Sequence, residues 1–303
     1  MPTVTGPREV VATGTGRPFE SVREPFSRGV LRRSLVAAGL EQGAADRCAL
    51  DVGESLASVV VTRADVAACA ARWLDEQGVA TVSRRYAGLR ALRERGTPLA
   101  LLVGGASGTG KSTIALEVAR RCGIDHVTPT DVVRRSLRRV YAGEPQRAIH
   151  HESFDVPGDD AASSSLAGFA NQAQDVLVAV HAIVEHALLE RWPIVLEGVH
   201  LVPGQWPGAN AGVMVEVVVT VHDEERHRAN FSERGEQTAG GRPADHYLRN
   251  FERVRGVQHY LEQAAASAGA LVVDSHDPDA AVLAIIDAVL DAAFGQAPDT
   301  VGA

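Results

Sequence analysis

Leu99-Ala-Leu-Leu-Val-Gly104-Gly105-Ala106-Ser107-Gly108-Thr109-Gly110-Lys111-Ser112 decides the reading of this chain. Leu99 to Gly104 is a short, continuously apolar run, the pattern of a strand buried on both faces of a parallel sheet. Gly105 to Ser112 fits G-x-x-x-x-G-K-[ST], and Thr113 to Arg121 reads as a helix directly after it. Glycines let the backbone curl until successive N–H groups face inward, and the helix N-terminus adds about half a positive charge. The loop is therefore a cradle for a phosphate chain. Its candidate nucleotide-binding residues are Gly105, Ser107, Gly108, Thr109, Gly110, Lys111, Ser112 and Thr113. Lys111 is the one lysine among 30 basic side chains. It reaches the β- and γ-phosphates as a flexible point charge, a slot for which arginine is too planar and long. The Ser112 hydroxyl suits the octahedral oxygen shell of Mg²⁺.

Working outward, Val127 marks a second strand, and Thr130-Asp131-Val132-Val133-Arg134 follows it. One helical turn separates Asp131 from Arg134, so both can face one cleft. Asp131 is expected to accept a proton from an attacking hydroxyl, and Arg134 to hold an anionic group on the acceptor. The competing reading makes Asp131 the N-cap of a basic helix with Arg135, Arg138 and Arg139 on a solvated face. Ile194-Val-Leu-Glu197-Gly-Val places Glu197 at the end of a buried strand, where its carboxylate is costly unless it meets a cation. Mg²⁺ held on the phosphates, reached through water, is the expected partner. His200, in the following loop, reads as a packing residue. Ala148 to Phe154 contains His150, His151 and Glu152; adjacent side chains cannot converge on one metal, so the segment reads as an acceptor-binding loop. Residues 223 to 262 read as a lid, with Arg228, Arg234 and Arg255 the candidates to deliver charge to the transferring group.

The rest of the chain fits around this core. Ile194–Leu196, Val213–Val221 and Ala270–Val273 read as further strands, separated by helical stretches at Gly168–Leu189, Tyr247–Leu261 and Ala280–Phe294. Right-handed crossovers give an α/β fold with an open parallel sheet flanked by helices over 97–303. Residues 1–96 read as a small, mostly helical domain. Apolar spacing predicts helices between Arg32 and Trp73 and again over Tyr86–Arg95, after a hairpin formed by Val10, Val11 and the Gly14/Gly16 pair.

Composition narrows the function. The 303 residues are 45% apolar, 22% charged and only 5% aromatic, an ordinary globular balance in which Ala, Val and Leu fill the interior. No apolar run approaches the roughly 20 residues of a membrane span. The start of the chain lacks the basic and apolar blocks of an export signal, and Cys48, Cys69 and Cys122 are odd in number and unpaired in spacing, so the cytosol is the expected compartment. Residues 1–96 carry 14 arginines against 11 acids and the remainder 16 bases against 27 acids, net +3 and −11, which gives no footprint for nucleic acid. A homo-oligomer is compatible with all of this.

With these residues in hand, the chain resembles the 2-phosphoglycerate kinase family over nearly its whole length. The similarity rests on Gly104-Gly-Ala-Ser-Gly-Thr-Gly-Lys-Ser112, Thr130-Asp131, Gly168-Phe169 with Gln172 and Val176, Glu197-Gly-Val-His-Leu-Val-Pro203, and Arg255, Gln258 and Tyr260-Leu261. Pro25-Phe26-Ser27-Arg28-Gly29-Val30-Leu31 resembles an ATP-cone, a nucleotide-sensing module. The resemblance implies a P-loop nucleotide kinase-like fold and ATP with Mg²⁺ as cofactors. It further implies transfer of the γ-phosphoryl of ATP to the 3-hydroxyl of 2-phosphoglycerate, with a regulatory nucleotide at the N-terminal module. Lys111, Asp131, Arg228 and Arg234 would act on the reacting groups, Asp131, Arg134, Glu197 and Arg255 on the acceptor, and Ser112 and Glu197 on the metal. A kinase for another phosphorylated metabolite, such as an inositol phosphate, and a P-loop switch without an acceptor stand as the alternatives.

Overall fold

The computed structural model describes residues 9–11, 23–56, 60–156, 165–206, 212–237 and 244–295. The chain divides into two compact units, Met1–Arg95 and Gly96–Ala303.

The first unit contains β1 (Glu9–Val11), β2 (Arg23–Pro25), α1 (Arg28–Ala37), α2 (Gln42–Ser55), β3 (Val60–Thr62), α3 (Arg63–Glu76) and α4 (Ala80–Arg95). β1 pairs antiparallel with β2, as a hairpin requires, although Gly14 and Gly16 lie outside the described residues. The helices start where side chains satisfy their first N–H groups. Ser27 accepts from the Val30 N–H, and Thr62 forms a reciprocal capping box with Asp65. Leu35, Cys48, Ala70 and Leu74 are fully enclosed, forming the contact side of α1 to α3. The structure corrects the reading of 32–73 as helices alone, because β3 intervenes and pairs parallel with β1. Three residues are too short to display alternation, and their partner lies about fifty positions earlier, so no local pattern announces the strand.

The second unit is built on β4 (Leu99–Gly104), α5 (Lys111–Cys122), β5 (His126–Pro129), α6 (Thr130–Val140), a 3-10 turn at Ala148–His150, α7 (Ser165–Leu189) and β6 (Ile194–Gly198). It continues through β7 (Val213–Thr220), α8 (Glu224–Gln237), α9 (Ala244–Arg249), α10 (Phe251–Ala268), β8 (Leu271–Asp274) and α11 (Pro278–Phe294). All five strands are parallel, in the order β5-β6-β4-β7-β8. From β4 the chain winds to one side of the sheet, then to the other, which makes the carboxyl end of β4 the switch point where such sheets bind ligands. Every residue of β4 and β6 is buried. On one face Ala100 and Leu102 pack with Val176, Val180 and Val184 of α7. The alternate residues Leu99, Leu101 and Val103 point to the other face, where α5 and α11 pack together. Truncating such a leucine to alanine costs about 2–5 kcal/mol.

Register positions the site. Gly104 pairs with Gly198, Val103 with Glu197, and Pro129 with Glu197. Three strands therefore end level, and the loop after β4, the start of α6 and Glu197 meet at one edge. The stretch Tyr247–Leu261 is two helices rather than one, because Asn250 leaves helical geometry between α9 and α10 and its side-chain amide donates to His246 O.

Candidate active site

The glycine-rich loop after β4 leads into α5 at Lys111, two residues earlier than the apolar spacing suggests. Gly110 sits before it in the left-handed region, no side chain caps the helix, and its first turn has no acidic residue. The free N–H groups and the dipole of α5 are thus left for an anion. By contrast, the N-terminus of α11 is closed by its own Asp277. Thr109 is fully buried, its hydroxyl donating to Ala106 O (3.1 Å), so only its backbone can serve a ligand. Lys111 Nζ donates to the same carbonyl (3.2 Å), which holds the ammonium against the loop. Thr113 is exposed one residue past Ser112.

Two side chains of α8 clamp the loop from outside. His227 Nε2 donates to Ser107 O (2.8 Å), and Asn230 Nδ2 donates to Gly108 O (2.8 Å). In a trans peptide the C=O and the following N–H point in opposite directions. Fixing those two carbonyls outward therefore turns the Gly108 and Thr109 N–H groups inward. Burial pushes the His227 pKa down, so the ring is neutral, and its buried Nδ1 has no hydrogen-bond partner among the described residues. Gly108 has φ +82, and a Cβ there would lie 2.6 Å from Phe231 Cζ, so only glycine lets α8 approach this closely. An aromatic pile runs on from the clamp: Phe231 stacks on His227 at 5.4 Å and on Tyr247 at 5.0 Å, and Tyr247 meets Phe154 at 5.4 Å.

Beside the loop lies a cavity of about 210 Å³ whose wall contains Lys111, Ser112, Asp131 and Glu197. Arg135, Glu152, Ser153 and Tyr247 also line it. Of the residues read from sequence, these first four are brought together, and Glu152 and Ser153 bring the acceptor-loop segment to them. Arg134 does not reach the wall. It is buried, its guanidinium donates to Ile149 O (3.2 Å) and His151 O (2.7 Å), and its Nε lies 3.8 Å from Asp131. Arg255 is likewise drawn away from the wall, donating to Val221 O (2.6 Å). Arg228 lies outside the cavity, with its guanidinium 3.7 Å over the Phe251 ring and 3.5 Å from Glu252. Arg234 is on α8, but its side chain is outside the described residues.

A second network sets the acceptor loop. His200 Nδ1 meets Thr130 Oγ1 (2.9 Å), and His200 Nε2 meets Gln172 Oε1 (3.2 Å). The Gln172 amide donates to Ala148 O and His151 O. Gln172 Oε1 can only accept, so His200 donates through Nε2 and accepts the threonine proton at Nδ1. Complete burial holds the His200 pKa down at about 3, and the ring is neutral. His151 O thus receives both Arg134 and Gln172, which fixes the strand of loop that carries Glu152 and Ser153. At Gly198 a Cβ would lie 1.8 Å from Thr130 Oγ1, which explains glycine directly after Glu197.

The donor set suits Mg²⁺: Ser112 offers a hydroxyl and Glu197 a buried carboxylate on one wall. No cluster of three or more His, Cys, Asp or Glu that could hold a metal occurs among the described residues. A hard cation here would complete its shell with phosphate and water oxygens, as Mg²⁺ does in kinases. Sequence reading missed His227, Asn230 and Tyr247, and singled out Arg134 for the acceptor rather than Arg135, which is exposed and borders the cavity. Aromatic rings at Phe231 and Tyr247 in a chain so poor in them were the available signal.

No protein-family model matches the chain. It is 33% identical to the 2-phosphoglycerate kinase of Methanocaldococcus jannaschii over 265 residues, covering 84% of each protein. Against the 2-phosphoglycerate kinase of Methanopyrus kandleri it is 33% identical, over 86% of this chain and 83% of that one. Against that of Thermococcus kodakarensis the identity is 33%, over 88% and 92%. A gluconokinase structure from Sinorhizobium meliloti matches at 18% identity and TM-score 0.38, covering 64% of this chain and 92% of that one, too distant to bear on the site. Matching these relatives along most of its length and most of theirs, the chain belongs to the 2-phosphoglycerate kinase family.

Proposed function

We propose that this protein transfers the γ-phosphoryl group of ATP to the 3-hydroxyl of 2-phosphoglycerate, giving 2,3-bisphosphoglycerate and ADP. The observation that carries the reading is one cavity walled by both a phosphate-cradle lysine, Lys111, and a helix-borne carboxylate, Asp131. Inward N–H groups of the loop and the α5 N-terminus bind the triphosphate, and Lys111 holds its outer phosphates. Ser112 and, through water, Glu197 would hold Mg²⁺, which would supply positive charge to offset that of the phosphates. Asp131 takes the proton from the acceptor hydroxyl as its oxygen forms the new P–O bond and the bond to the ADP oxygen breaks. Arg134 keeps Asp131 and the acceptor loop in place. Arg228 and Arg234, carried by the helix that clamps the loop, supply charge to the transferring group as α8 closes.

Purified protein with ATP, Mg²⁺ and 2-phosphoglycerate should release ADP only when all three are present, and ADP release indifferent to the acceptor would refute the reading.

Nucleotide control through residues 1–96 belongs to the same proposal. A concavity of about 340 Å³ in the first unit is lined by Phe26, Ser27, Tyr86, Arg63, Arg90 and Arg93, a combination of ring surface and cations that suits a nucleotide. ATP titration of the Lys111→Ala protein should still show one site. Cytosolic residence is part of this reading; no helix among the described residues is long and apolar enough to cross a membrane.

A further inference from the structure

An acceptor with a carboxylate and a phosphate needs cations, yet the cavity beside the P-loop is poor in them. Among the described residues its wall holds three carboxylates, Asp131, Glu152 and Glu197, against two cations, Lys111 and Arg135. Lys111 is committed to the nucleotide in the proposed function. Arg134 and Arg255, the arginines expected at the acceptor, are turned from the cavity toward backbone carbonyls. An anionic acceptor would be repelled by what remains.

The missing charge lies next door. A concavity of about 600 Å³ is lined by Arg135, Arg138, Arg139, Ala142 and His150, with no carboxylate among the described residues of its wall. Arg135 borders both spaces, so the two adjoin along one side chain. Residues 135, 138 and 139 are three and four apart, which brings their stems onto one stripe of α6, with Cβ atoms about 5–6 Å apart. None of these three arginines makes a hydrogen bond or an ion pair among the described residues. By contrast, Arg120 and Arg121 pair with Glu117, Arg147 with Glu144 and Asp175, and Arg253 with Asp155. His150 Nε2 donates to Tyr141 O (3.1 Å), fixing the ring as the far wall. The Arg134 and Gln172 ties to the carbonyls of residues 148, 149 and 151 hold that wall rigid.

We infer that Arg135, Arg138 and Arg139 form the anion-binding wall for the acceptor, receiving the carboxylate or phosphate of a small phosphorylated acid whose hydroxyl points at Asp131. Guanidinium forks match both groups bidentately. The inference deepens the proposed function and rests on it for the identity of the acceptor.

The test is calorimetric titration of the full-length protein with 2-phosphoglycerate, for wild type, Arg138→Ala/Arg139→Ala and Arg138→Lys/Arg139→Lys, beside steady-state kinetics. Both substitution sites are exposed on α6, and unchanged circular dichroism confirms the fold. The alanine variant should bind the acceptor about tenfold or more weakly and raise its KM similarly, with the KM for ATP within twofold. The lysine variant should recover part of the loss, and added salt should weaken wild type more than the alanine variant. Acceptor affinity within twofold of wild type in the alanine variant overturns the inference, as does absence of acceptor binding by wild type. Wild-type turnover with an unaffected alanine variant would sink this wall and spare the kinase reading. Binding that depends on the arginines, without turnover, would do the reverse.

Discussion

The two ends of the active cleft are built by different means. At the proposed nucleotide end the groups on offer are backbone N–H vectors of a loop, and their orientation is enforced from outside by His227 and Asn230. At the proposed acceptor end the groups on offer are side chains, and neighbours in sequence have opposite fates: Arg134 is buried and bonded to carbonyls, while Arg135 opens onto the cavity. Backbone cradles recur because glycine positions dictate them, whereas a side-chain wall can be retuned by one helical rotation. The comparison teaches that the general step, gripping a triphosphate, is fixed by local geometry, and the selective step by packing.

The sharpest way to break this comparison is to remove charge at each end. Lys111→Ala should cut acceptor-dependent ADP release at least on the order of 10²–10³-fold, since the sequence holds no other lysine. Retention of near-normal turnover in a coupled assay would remove the nucleotide end from the mechanism. Asp131→Asn keeps shape but loses the base. Its kcat should fall about 10²-fold or more, with the KM for ATP changed less than about threefold. Equal losses in kcat and ATP affinity would show that the two ends are not separable.

Smaller effects probe the supports. His227→Ala frees the Ser107 carbonyl and should raise the KM for ATP about 2- to 10-fold, the worth of one hydrogen bond, while the acceptor KM stays level. A rise in acceptor KM alone would place the clamp at the wrong end. Acidification tests the other support. His200 folds with a pKa of about 3 against an ordinary value of 6.5, because complete burial disfavours its charged form. The unfolded chain therefore takes up a proton that the folded one refuses as pH falls below about 6.5, so stability is lost progressively between there and about pH 3. His227, also shifted down by burial, adds with the same sign. The melting midpoint should drop over this interval, and His200→Gln should flatten the drop; an unaltered slope would show that the Thr130–His200–Gln172 network is not what acid attacks.

Much of the fold was legible because its signals are local. Leu99 to Gly104 is continuously apolar, and the structure buries all of it between helices. Glu197 could be placed because a carboxylate ending an apolar run must find company, and it sits on the cavity wall. The helix pattern of 32–73 concealed β3, and the pattern of 247–261 concealed the break at Asn250, since a three-residue strand and a single non-helical residue leave no periodicity to read.

By itself, the sequence determined the phosphate cradle, the parallel sheet that presents it and the carboxylates that border it, because glycine freedom, apolar runs and buried charge each constrain the chain within a few residues. Only the tertiary structure decided which arginine serves a carbonyl and which faces the cavity. That choice depends on where α6, the Ala148–His150 turn and α7 meet, and Arg134 and Arg135 carry the same side chain into two environments.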